Sequence, residues 1–108
     1  VHKSSYIDEL EEKGAKAAKA GGLLQLDSDT WMSPESYATA KLAAGAGLEA
    51  VRAVIKGAFS KAFVIVRPPG HHALADSSMG FCLFNNVAIA AKHAQKRHGL
   101  KRVMIIDW

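Results

Sequence analysis

Phe63-Val64-Ile65-Val66-Arg67-Pro68-Pro69-Gly70-His71-His72-Ala73 is the stretch on which the reading of this chain turns. Its first four residues are apolar and largely β-branched, the composition of a buried strand. A Pro-Pro-Gly turn then delivers two adjacent histidines just past the strand's carboxyl end. In open α/β sheets that edge gathers the strand-to-helix loops on a rigid base, and ligands bind there. Histidine is the side chain best suited to exchange protons near neutral pH, so two imidazoles can donate and accept protons within one reaction. A solvated loop with two histidines would carry the same dipeptide, so its surroundings decide.

Downstream, a loop of small residues spans 73–79 and leads into Gly80-Phe81-Cys82-Leu83-Phe84-Asn85-Asn86. The spacing predicts a helix from Asn85 or Asn86 to Arg97. Its core side would be Val87, Ile89, Ala90, Ala91 and Ala94, with Lys92, Gln95 and Lys96 outward. Gly99 stops it, and Lys96, Arg97 and His98 suit the negative end of its dipole. Val103-Met104-Ile105-Ile106 reads as a second strand, so 62–108 is expected to form one parallel, right-handed strand-helix-strand unit. That connection brings Asp107 to the same edge as His71 and His72. A carboxylate there can accept an imidazole N–H and fix the tautomer; a strand-end Asp that merely caps a loop is the plainer alternative.

Upstream, Ser4 or Ser5 begins a helix that runs to about Lys19 and is closed by Gly21-Gly22. His2, ahead of it, is expected in solvent. Ser33-Pro34-Glu35-Ser36 predicts a second helix over 36–56, with Ser33 as cap and Pro34 in the first turn. The small residues Ala43, Ala44, Gly45, Ala46 and Gly47 would let it approach another backbone closely. Asp27 and Asp29 fall in the loop before it, and Trp31 and Tyr37 are expected to pack. Cys82, the only cysteine, cannot form an internal disulfide and is expected to be a small buried residue.

The net charge is +4, but the 14 basic residues are spread along helix faces. No cluster of Lys and Arg with interleaved aromatics marks a nucleic-acid surface. No run approaches the ~18 apolar residues needed to cross a bilayer, and no signal peptide is visible. A single cysteine fits a reducing compartment, nucleus or cytoplasm, with an organelle interior equally open. No set of His, Cys and carboxylate stands at ligand spacing, so no metal ligand is assigned within the chain.

Three segments, Arg67–Ala73, Gly80–Asn85 and Ile105-Ile106-Asp107-Trp108, in that order and spacing, resemble the zinc-dependent histone deacetylase family. Arg67-Pro68-Pro69 points to its class II branch, and Asp29 to Tyr37 is similar to the segment leading into a family helix. The resemblance covers nearly the whole chain. It implies an α/β, three-layer arginase/deacetylase-like fold with a parallel sheet, only the N-terminal part of it present, as a partial domain over 1–108. The implied activity is zinc-dependent hydrolysis of acetyl-lysine amides.

The same resemblance implies roles for individual residues. His71 would be the histidine partnered by Asp107, and His72 the general base. The Gly80 carbonyl would meet the substrate amide, Phe81 would wall the acyl-lysine tunnel, and Asp29 would bond substrate backbone at its rim. His2 resembles a histidine common at this place in the family. The implied cofactor is Zn2+, with ligands expected beyond Trp108, so this polypeptide alone is expected to be inactive, and poorly soluble or partly folded. The implied partners are acetylated proteins such as histone tails and corepressor-type complexes. Two alternatives stand beside this: a deacetylase of acetylpolyamines or other small amides on the same fold, and a non-catalytic scaffold domain.

Overall fold

A computed structural model describes all of residues 1–108. Helix α1 (Ser4–Lys19) buries Tyr6, Leu10, Gly14 and Ala17, a stripe at helical spacing, and leaves its charged side in solvent. Neither serine caps it. Lys3 is the N-cap and makes no side-chain cap bond, while its backbone N–H donates to the Ala75 carbonyl at 2.9 Å. At the other end the Gly22 N–H returns to the Ala17 carbonyl at 3.0 Å, with Gly21 and Gly22 both at positive φ. Those φ values are why two glycines close this helix.

Between α1 and the next helix the sequence was expected to form only a loop. The structure has a small antiparallel hairpin there, β1 (Leu24–Gln25) and β2 (Trp31–Met32), in the register Leu24 to Met32 and Gln25 to Trp31. Helix α2 (Ser36–Ile55) follows, and its start corrects the expected cap. The N-cap is Glu35, without a side-chain cap bond, and Ser33 stands one turn earlier. Instead of capping, Ser33 donates its N–H to the Ser36 hydroxyl at 2.8 Å, because a tight turn over 33–36 precedes the helix.

Helix α3 (Asn86–His98) begins and ends as expected. The Asn85 side chain accepts from the Ala88 N–H, and Gly99 closes the helix in the left-handed conformation at φ +72°. The small residues of α2 do what their size permits. A Cβ on Gly47 would lie 3.6 Å from the Ala90 Cβ of α3, ordinary contact, and α2 with α3 is the main helix pair. In the core Tyr6, Leu10, Met32, Ala40, Leu83 and Phe84 pack together, with Ile7, Tyr37 and Ile89 against them. No helix is long and apolar enough to cross a membrane.

The expected parallel pair is not formed. Residues 63–66 and 103–106 have no strand assignment, and no backbone–backbone hydrogen bond involves 59–69 or 101–108. They are therefore not paired as strands. Both nonetheless lie over the same helix pair, since Val64, Val66 and Val103 line one apolar groove with Val51 and Val54 of α2 and Ala90 and Ala94 of α3. Alternate residues point away: Phe63 is 89% exposed and Ile65 85%, as are Met104 at 82% and Ile106 at 70%. Apolar residues on both faces are the pattern of buried strands, but here the second face and both ladder edges lack partners.

Candidate active site

The loop with the two histidines is pressed onto the start of α3. A Cβ on Gly70 would fall 2.5 Å from the Asn86 nitrogen and 2.6 Å from the Phe84 carbonyl oxygen, both backbone, so only glycine fits. The helix start then grips the loop. Asn86 Nδ2 donates to the Pro68 carbonyl at 3.3 Å, and Asn85 Nδ2 donates to the carbonyls of Ala73 at 3.2 Å and His71 at 3.5 Å.

His71 and Asp107 meet. His71 Nδ1 lies 2.9 Å and 3.1 Å from the two carboxylate oxygens of Asp107, across 36 positions of sequence. With a carboxylate at Nδ1 the proton resides on that nitrogen, which leaves Nε2 as the free proton-exchanging atom. Both side chains are substantially exposed, so water screens the pair, and its contribution is orientation rather than stability. The His72 ring stacks beside His71 at 4.1 Å between centroids, tilted 45°.

His72 is shaped by Gly80 in turn. A Cβ on Gly80 would lie 2.6 Å from His72 Cδ2, so the ring rests where a side chain would otherwise stand. Gly80 and Phe81 are the central residues of a tight turn closed by hydrogen bonds in both directions between Met79 and Cys82. Both have positive φ, +56° and +65°, the signature of a primed turn. For a phenylalanine this costs roughly 1–2 kcal/mol. It is held by its N–H, which donates to the buried Thr30 hydroxyl at 3.1 Å, and Thr30 donates onward to Asp29 at 3.2 Å. The Phe81 ring stays exposed and, with Asp29, Trp31, Arg67 and Pro68, lines an open cleft. The Cys82 thiol is fully buried and donates to the Gly80 carbonyl at 3.3 Å.

Of the two loop aspartates, Asp27 anchors and Asp29 faces the cleft. Asp27 accepts from the N–H groups of Asp29 and Thr30 and, at 2.8 Å, from the Ser78 hydroxyl. Desolvation would raise its carboxyl, but these bonds outweigh it and hold the pKa at about 2. Asp27 thus ties the hairpin to the loop after the histidines. The Asp-x-Asp-Thr run is an Asx-turn pattern visible in sequence, whereas nothing local pointed to Ser78.

His2 requires a correction, for it is not a solvated terminal histidine. Its ring sits 5.6 Å from Tyr6 and 5.5 Å from Phe84, and its Nε2 accepts from the Asn85 N–H at 2.9 Å. Burial lowers its pKa, against an opposing pull from the nearby Leu74 and Ala75 carbonyls. Those carbonyls lie beside Nδ1 without well-formed hydrogen bonds to it.

No group of three or more His, Cys, Asp or Glu side chains converges in the structure. What the structure does bring together is two adjacent imidazole rings, one of them bonded to a carboxylate, beside the exposed Phe81 ring. The histone deacetylase domain model matches residues 1–108. Human polyamine deacetylase HDAC10 is 42% identical over 109 residues, all of this chain and 16% of that protein. A histone deacetylase-like amidohydrolase of Pseudomonas aeruginosa is 41% identical over 108 residues, again the whole chain and 27% of the relative. The crystal structure of the HDA15 HD domain superposes with a TM-score of 0.80 at 36% identity, over 90% of this chain and 27% of that one. The chain belongs to the histone deacetylase family and spans well under half of these relatives.

Proposed function

We propose that residues 1–108 supply the proton-transfer machinery of a deacetylase that hydrolyses the acyl-lysine amides of proteins. The observation that carries this is the Asp107 carboxylate 2.9 Å from His71 Nδ1, with the His72 ring stacked 4.1 Å away. In the step assigned here, His72 takes a proton from water as the water oxygen bonds to the acyl carbon. The C–N bond then breaks, the amine nitrogen leaves with a proton returned by an imidazole, and the acyl group departs as the carboxylic acid. Asp107 keeps the proton of His71 on Nδ1 and stabilises the charged ring.

The other residues hold the substrate. The exposed Phe81 ring is a flat apolar wall against which a lysine stem can be desolvated. The Gly80 carbonyl accepts the substrate amide N–H, and Asp29, on the same cleft as Phe81, bonds substrate backbone at the rim. A zinc ion, if held by residues outside 1–108, would supply polarisation of the acyl carbonyl. Histone tails and corepressor-type assemblies are the partners such an enzyme would meet.

A second reading, hydrolysis of acetylpolyamines, is favoured by one finding: the relatives named polyamine deacetylase, at 42% identity in human and 50% in mouse. The two readings share the acid–base step and differ in the substrate. The deciding measurement is turnover of an acetyl-lysine peptide against an acetylpolyamine by the full-length, zinc-loaded enzyme and its His72→Ala variant. Loss of about 10²–10⁴-fold in kcat with zinc content unchanged is expected. Activity equal to wild type in that variant would remove His72 from the reaction, and no turnover of any amide by the wild type would leave the scaffold alternative.

A further inference from the structure

We propose that His2 is a positioning residue for the histidine pair, a neutral imidazole that acts through Asn85 to set the loop bearing His71 and His72. This deepens the proposed function and rests on its reading of that pair.

Every polar group of Asn85 is engaged. Its side-chain oxygen caps α3 by accepting from the Ala88 N–H at 3.1 Å, and its carbonyl accepts from the Ile89 N–H at 2.9 Å. Its side-chain nitrogen donates to the carbonyls of Ala73 and His71. The remaining group, its backbone N–H, has one partner, His2 Nε2 at 2.9 Å, contributed from 83 positions earlier. One residue thus joins the start of α3, the histidine loop and the amino-terminal segment.

Only a neutral imidazole with its proton on Nδ1 can play this part, since Nε2 must accept. The ring is clamped by Tyr6 and Phe84, and the Tyr6 hydroxyl donates to the Leu83 carbonyl at 2.8 Å. Phe84 in turn presents its carbonyl to Gly70, so a shift of the 83–85 backbone is passed directly to the turn before His71. The same segment is fastened at a second point. The Lys3 N–H donates to the Ala75 carbonyl and Lys3 Nζ pairs with Asp76 at 2.6 Å, just after the histidines. Residues 2 and 3 therefore fasten the stretch that follows the histidines at two points, 75–76 and 85. None of these contacts takes part in the proton chemistry assigned to His71, His72 and Asp107.

Two substitutions separate positioning from simple packing. His2→Phe keeps an aromatic ring between Tyr6 and Phe84 and removes the acceptor. His2→Gln offers a side-chain carbonyl that can accept the Asn85 N–H. In the full-length zinc-loaded enzyme, His2→Phe should lower kcat about tenfold, as supporting partners of a site commonly do, with KM nearly unchanged. His2→Gln should recover kcat to within about threefold of wild type.

Nitrogen-15 NMR of the same proteins supplies a readout independent of turnover. The Asn85 amide and the His71 imidazole signals should move in His2→Phe and return in His2→Gln. Unmoved signals and full kcat in His2→Phe overturn the proposal, as does a His2→Gln variant as impaired as His2→Phe. If His2→Phe does not fold, the His2→Gln Asn85 amide decides, keeping its hydrogen-bonded shift or, in refutation, losing it. A wild type that hydrolyses no amide refutes the deacetylase reading, while the NMR comparison still judges His2.

Discussion

At the scale of single residues, the site depends on a place where a side chain is missing. Gly80 leaves room for the His72 ring and adopts a φ that other residues resist, so Gly80→Ala should displace the ring. We expect kcat to fall about 10²-fold in the full-length enzyme, the cost of ångström-scale misplacement, with a crystal structure of the variant showing His72 moved. Asp107→Asn makes the complementary test. It keeps the shape but lets the amide donate toward His71, reversing the tautomer, and should reduce kcat by about 10⁴-fold as in acid-steered triads. A change of only a few-fold would show that His71 does not depend on its carboxylate. The sequence made these residues visible because their types are chemically unusual in that order. From sequence His2 looks like a solvated residue, because its partner, Asn85, lies 83 positions away and only folding brings them together.

At the scale of elements, the helices were legible and the hairpin was not. Helices announce themselves through apolar spacing over many residues, and Asn85 and Gly99 marked the ends of α3 by their own chemistry. Strands of two residues have no period to detect, and what stabilises the β1–β2 loop is the cluster of bonds to Asp27. Its carboxyl sits at about 2 in the fold against 3.8 for an ordinary aspartate. A lowered folded-state value means that this contribution is complete above pH 3.8 and is lost as the pH falls through about 2, where the folded state must also take up the proton. Thermal unfolding followed between those pH values should show a decline in Tm that Asp27→Asn reduces. The Ser33 cap failed for a related reason: Ser-Pro-Glu-Ser can start a helix or form a turn before one, and the choice is made by the bond from the Ser33 N–H to Ser36.

At the scale of the whole molecule, apolar residues on both faces of 63–66 and 103–106 demand neighbours that residues 1–108 do not provide. One face of each run rests on α2 and α3, while Phe63, Ile65, Met104 and Ile106 face outward. Exposed apolar runs without ladder partners favour association. The isolated 108-residue chain is therefore expected to run as oligomers or aggregates on size-exclusion chromatography. It should also turn over no acetyl-lysine peptide with zinc added. A monodisperse, active monomer would contradict the assignment of this chain as one part of a larger site.

Periodicity and local residue types alone determined the helices and the turn glycines, because those properties are local to the chain. Tertiary structure decided what is long-range and was not expected: that Gly80 cradles His72, that Asp27 and not Asp29 anchors the hairpin, and that His2 bonds the Asn85 backbone. It also decided that the two apolar runs are not hydrogen-bonded to each other as strands. A strand's composition reports that it will be buried, but its partner is chosen by the packing of the helices beneath it, and no residue in the strand encodes that choice.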